Sequence, residues 1–127
     1  MPTSNLTKDA DALICVIYKT YLQRRKSGNS KEQAKFLGGA AQVQAEIIPK
    51  WSLPDVEDTL WELHRAGLLS CFGADNTVYD AILSDVGIIY MENRFKNGLK
   101  EVLDYLEPVE WIPRTKRARL IKIGKHF

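Results

Sequence analysis

Residues 52–83 place the tightest limits on what this chain can fold into. Ser52 suits a helix N-cap, Pro54 suits a first turn, and Asp55 completes a Ser-x-x-Asp box facing the positive end of the helix dipole. Val56, Leu60, Trp61 and Leu63 then form an apolar face, and Gly67 supplies a stop. LLSCF and TVYDAIL follow at once, and both read as strands. Between them Gly73-Ala74-Asp75-Asn76 has the residue types of a tight turn. A capped amphipathic helix running straight into a β-hairpin confines the chain to folds in which helix and ribbon share one core.

Upstream, Thr7 caps a helix expected over residues 7–26. Asp9 and Asp11 lie in its first turn, and Leu13, Ile14, Val16, Ile17 and Tyr21 recur at helical spacing. Arg24, Arg25 and Lys26 fill the last turn before Gly28. Ser30-Lys31-Glu32-Gln33 is a capping box, opening a second helix that should end near Gly38-Gly39. AAQVQAEIIPKW reads equally as a short helix or an extended connection.

Downstream, Ser84 caps a helix expected to continue to Pro108, which forbids further extension. About 24 residues at 1.5 Å each make a rod of roughly 36 Å. Ile88, Met91, Phe95, Leu99, Val102 and Leu106 stand three or four apart, close to the 3.5-residue repeat of paired helices. The first part of this stripe fits the domain's own core. Phe95, Leu99, Val102 and Leu106 are the candidates for a partner helix in a homodimer.

The expected fold class is mainly α with a small β-hairpin. The order three helices, two strands, one helix is that of a winged helix-turn-helix, here with a long C-terminal helix (84–107) and a basic tail (108–127). In that architecture the third helix reads DNA and the hairpin is the wing. A three-helix bundle with an attached hairpin shares most of the pattern. Residues 30–106 also resemble a group of small winged-helix proteins of Gram-positive bacteria and their phages and mobile elements. The likeness lies in the WS-x-x-DV, AGLL-x-C, ADNTVY and YMENRFKNG runs. It implies the winged-helix fold but no defined activity, and it does not extend past Pro108.

Composition narrows the function classes. The 127 residues suffice for one domain, and 45% hydrophobic with 27% charged is ordinary for a globular chain. No apolar run approaches the roughly 20 residues of a membrane helix. The start, MPTSNLTKDADAL, has acids where a secretory leader needs basic and then apolar residues, so a cytoplasmic site is expected. Cys15 and Cys71 sit among apolar neighbours and read as core, and with only His64 and His126 no zinc spacing exists. Neither a metal nor a cofactor is expected. Nor is an enzyme, since no P-loop, G-x-G-x-x-G, H-E-x-x-H or G-x-S-x-G motif occurs.

Charge is unevenly divided. Residues 1–112 carry 12 Lys+Arg against 16 Asp+Glu, a net of −4, whereas residues 113–127 carry six basic residues and no acid. The winged-helix order points to a regulator that binds double-stranded DNA. The nucleic-acid candidates are Lys31, Lys35, Lys50, Arg65, Arg114, Lys116, Arg117 and Arg119. The expected reading helix opposes this, because Asp55, Glu57, Asp58 and Glu62 outnumber His64 and Arg65. Asp55, Asp58 and Glu62 share one helix face, and the alternative is a protein-interaction module that docks a basic host protein there. A phage-type inhibitor of a nucleic-acid-binding complex is one concrete form of it.

Overall fold

The computed structural model describes residues 6–106. These form a mainly helical structure with a small antiparallel sheet. The elements in chain order are α1 (Lys8–Lys26), α2 (Lys31–Lys35), β1 (Phe36–Gly38), α3 (Ala40–Glu46), α4 (Leu53–Arg65), β2 (Leu69–Ala74), β3 (Thr77–Leu83), α5 (Asp85–Arg94) and α6 (Leu99–Leu106).

Helix α1 is the central element. The Thr7 side chain accepts from the Ala10 amide, which caps it as expected. Residues Ala12 to Tyr18 are buried without a gap, a pattern wider than one amphipathic stripe. Neighbours surround the helix: α2, α4, α5 and α6 all pack against it. Leu37, Ile48, Leu60, Leu63, Leu69, Leu83 and Met91 complete the core from the other elements.

The second helix is shorter than expected. Its capping box forms, with Ser30 Oγ accepting from the Gln33 amide and Gln33 Oε1 accepting from the Ser30 amide. It stops at Lys35, and Phe36–Gly38 becomes a third strand. The sheet order is β1-β3-β2, with both pairings antiparallel. The ambiguous segment resolves into α3 over Ala40–Glu46.

The hairpin forms where expected. Asp75 and Asn76 both take positive φ, 52° and 66°, the signature of a type I′ turn whose twist matches the strands. Phe72 pairs with Asp80 and Gly73 with Val78, so Tyr79 is an extra, bulged residue. Glycine is required at the bulge, because a Cβ on Gly73 would lie 1.8 Å from the Thr77 carbonyl oxygen. Side chains engage both outer strands. The Arg24 guanidinium donates to the Phe36 carbonyl at 2.6 Å, and the Cys71 amide donates to His64 Nδ1 at 3.1 Å. Such contacts occupy backbone groups that strand-on-strand association would otherwise use.

The expected single C-terminal rod is broken. Helix α5 ends at Arg94, and the chain turns through Lys96-Asn97-Gly98 before α6. Gly98 has φ +75°, and the Asn97 amide donates to Glu101 Oε1 at 3.0 Å to start the new helix. The turn folds α6 back along α1. Phe95, Val102 and Leu106 are therefore buried in this chain's own core, and Leu99 is half-buried. The stripe expected to be an open dimerisation seam is closed from within. No helix among the described residues is long and apolar enough to cross a membrane.

Candidate docking face on the fourth helix

Helix α4 turns one face inward and leaves another to solvent. Ser52 Oγ accepts from the Asp55 amide at 3.2 Å, and a proline stands in the first turn, as the sequence requires. Val56, Thr59, Leu60 and Leu63 are buried. The outward face presents Asp55, Asp58 and Arg65, with Glu57 and Trp61 half-buried beside them. Pro54, Glu57, Asp58, Trp61, Arg65 and Asn76 line a groove of about 270 Å³ between the helix and the hairpin turn.

Two contacts through α4 side chains fix the hairpin to this helix, beside a longer one from Cys71 Sγ to the Leu60 carbonyl at 3.5 Å. Trp61 Nε1 donates to the Asn76 carbonyl at 2.9 Å, which holds the turn against α4. The second is the Cys71 amide donating to His64, whose ring also meets Trp61 edge-on at 5.5 Å between centroids. Trp61 therefore forms one wall of the groove and anchors the neighbouring turn. The sequence assigned it only to an apolar face, because its partner is a backbone carbonyl 15 residues away.

The three candidate docking carboxylates do not behave alike. Asp55 and Asp58 are exposed, and among the described residues no hydrogen bond or ion pair engages either carboxylate. Glu62 is half-buried and already engaged by the fold: Oε2 accepts from the Thr7 amide at 3.0 Å and Oε1 from the Thr7 hydroxyl at 2.8 Å. It ties the start of α1 to α4 and leaves the docking set. Among the described residues no group of three or more His, Cys, Asp and Glu side chains is placed to hold a metal ion.

The basic candidates divide in the same way. Lys31 and Lys35 reach Asp85 at 3.5 and 2.8 Å, so this one acid at the start of α5 offsets one of the two positive charges. These cations hold the Asp85 carboxyl below its ordinary range, the Lys35 hydrogen bond contributing most. Arg94, another basic residue of the C-terminal helical region, forms a two-pronged ion pair with Asp11, and its second prong measures 3.2 Å. Lys50 and Arg65 stay exposed at opposite ends of α4. Arg114, Lys116, Arg117 and Arg119 lie outside the described residues.

Both cysteines are buried and unpaired with each other. Burial pushes the Cys15 thiol up to about 12 and the Cys71 thiol up to about 11, so neither is poised as a nucleophile. A second groove, about 510 Å³, lies on the outer side of the sheet between Glu32, Gln33, Lys35, Phe36 and Ile82. Phe36 and Phe72 are exposed on the outer strands. Compared with known proteins, the chain matches no family model, no curated sequence and no solved structure.

Proposed function

We propose that this chain is a winged-helix module that docks a Lys/Arg-rich protein segment on α4 and the adjoining hairpin turn. The element order supports the winged-helix reading, with α4 in the place of the DNA-reading helix and β2–β3 in that of the wing. One observation carries the functional reading. The outward face of α4 presents unengaged carboxylates at Asp55 and Asp58 around an aromatic wall, Trp61, and its adjoining turn adds Asp75. A polyanion is repelled there, because phosphate binding runs on matched cations. A basic segment is attracted, and its side-chain stems have Trp61 and Pro54 to lie against.

Duplex DNA is the competing partner that the fold alone favours. Its case rests on Lys50, Arg65, the C-terminal cations and the one positive charge that Asp85 leaves over on Lys31 and Lys35. An Arg/Lys-rich peptide and random-sequence duplex DNA, each offered to the full chain at low salt, separate the two. The informative variant is Asp55→Lys with Asp58→Lys, leaving Glu62 in place to hold Thr7. Peptide affinity should fall by about tenfold or more, a change of about 1.4 kcal/mol. No sequence motif should emerge from selection on the duplex pool. A motif enriched by the wild type, together with peptide affinity indifferent to the reversal, overturns the docking reading in favour of a DNA regulator.

A further inference from the structure

We infer that the basic segment 113–127 of this same chain occupies the α4 face in cis, where it competes with any external basic partner. The inference rests on the docking reading of α4 and names its first occupant. Charge complementarity is the starting point: the segment carries six cations and no acid, and the remainder of the chain is net −4. Its cations alternate with apolar residues, as in Arg119-Leu120-Ile121-Lys122-Ile123. The groove offers the matching mixture, with Glu57 and Asp58 beside Trp61 and Pro54.

The described chain also ends in the right neighbourhood. Tyr105, next to the last described residue, donates from its hydroxyl to Asp11 Oδ2 at 3.0 Å. Asp11 stands one helical turn, about 5.4 Å, from Thr7 on α1. Thr7 is bonded to Glu62, and Glu62 stands one turn from Asp58 on α4. From Leu106 to Pro113 is seven residues, which extend to about 25 Å at most. Two acids on the route are engaged, Asp11 by Arg94 and Tyr105, and Glu62 by Thr7. Among the described residues nothing engages Asp55 or Asp58. A short tether raises the local concentration of the segment to about the millimolar range, so a contact too weak to join separate molecules forms readily within one.

Zero-length carbodiimide coupling on the full chain tests the contact, read by mass spectrometry on a mixture of isotopically light and heavy protein. Lys116, Lys122 and Lys125 should couple to Asp55, Glu57 or Asp58 within one molecule. The yield should collapse near 1 M salt, where screening length falls to about 3 Å. Lysine couplings scattered over the surface, or predominantly between light and heavy molecules, overturn the inference. A second measurement uses full chain carrying Lys116→Gln, Arg117→Gln and Arg119→Gln, titrated with the Arg/Lys-rich peptide. Affinity should rise roughly three- to tenfold as the competitor weakens. An unchanged affinity in a chain that does bind the peptide overturns cis occupancy and leaves the docking reading intact. Couplings confined to α4, with no peptide bound by either protein, support the cis contact and sink the docking of an external partner.

Discussion

At the α1–α5–α6 junction Asp11 accepts from Arg94 and from the Tyr105 hydroxyl, while on α4 Asp55 and Asp58 stand exposed with no partner among the described residues. Both sites are helix-borne carboxylates, and in the sequence they look equivalent. At the junction the guanidinium lies over the rings of Phe95 and Tyr105, at 5.0 and 4.8 Å from their centroids. Desolvation there opposes the charge on Arg94, yet the Asp11 carboxylate, through its hydrogen bonds and its charge, tips the balance and holds it more firmly protonated than usual. Tyr105 is raised as well, chiefly by burial and then by its bond to Asp11. The junction uses its charge to lock α5 and α6 onto α1. Face α4 leaves its charge available, and available charge in a structured groove is what recognition requires.

That contrast breaks or sharpens through measurable differences. The largest effect belongs to the packed side of the junction. Phe95→Ala should cost about 3–4 kcal/mol, the loss typical of a buried aromatic truncated in a closed core. Urea unfolding at two protein concentrations should give the same loss at both. A loss below about 1 kcal/mol, or one that shrinks on dilution, would return the stripe to an interface between copies.

Next comes the ion pair. Arg94→Met strands a part-buried Asp11 and should cost about 2 kcal/mol, reduced from the fully buried case by partial solvent access. Asp58→Asn should stay within about 0.5 kcal/mol in the same assay. Equal losses would abolish the distinction between the two sites. Glu62→Gln falls between them at about 1 kcal/mol, because a neutral amide keeps the Thr7 contact but loses its charge assistance.

The smallest effect is a pH dependence at Asp85. Lys35 and Lys31 lower its folded pKa below the ordinary 3.8, so its contribution is complete above that value. The contribution is lost as pH falls further, through the lowered pKa. Asp85→Asn should therefore remove this small contribution at neutral pH, and the wild-type and variant stability curves should converge as pH falls below about 4, which flattens the acid limb of the variant. An unchanged acid limb would show that the Lys31–Lys35–Asp85 contacts do not persist in solution.

Much of the fold was legible because its signals are local. Thr7, Ser30, Ser52 and Ser84 all act as N-caps through their own hydroxyls, and each bonds an amide three residues on. The turn at Asp75-Asn76 is local in the same sense, since both residue types tolerate positive φ. Strand β1 was not legible, because three residues carry no usable period and its partner Ile82 lies 46 positions away. The break at Lys96-Asn97-Gly98 was signalled by Asn-Gly, yet the unbroken three-and-four spacing of apolar residues across it masks that signal.

By itself the amino-acid sequence determined the capped helices, the hairpin, the burial of both cysteines and the placing of acids on the exposed side of α4. Each depends on residues within about a turn of one another, or on an apolar spacing that any core would bury. Only the tertiary structure decided which charges are left over. Glu62 meets Thr7 across 55 residues, Lys35 meets Asp85 across 50, and Arg94 meets Asp11 across 83. A carboxylate's neighbours in space set whether it holds the fold together or faces a partner, and those neighbours exist only once α1 has gathered the other helices around itself.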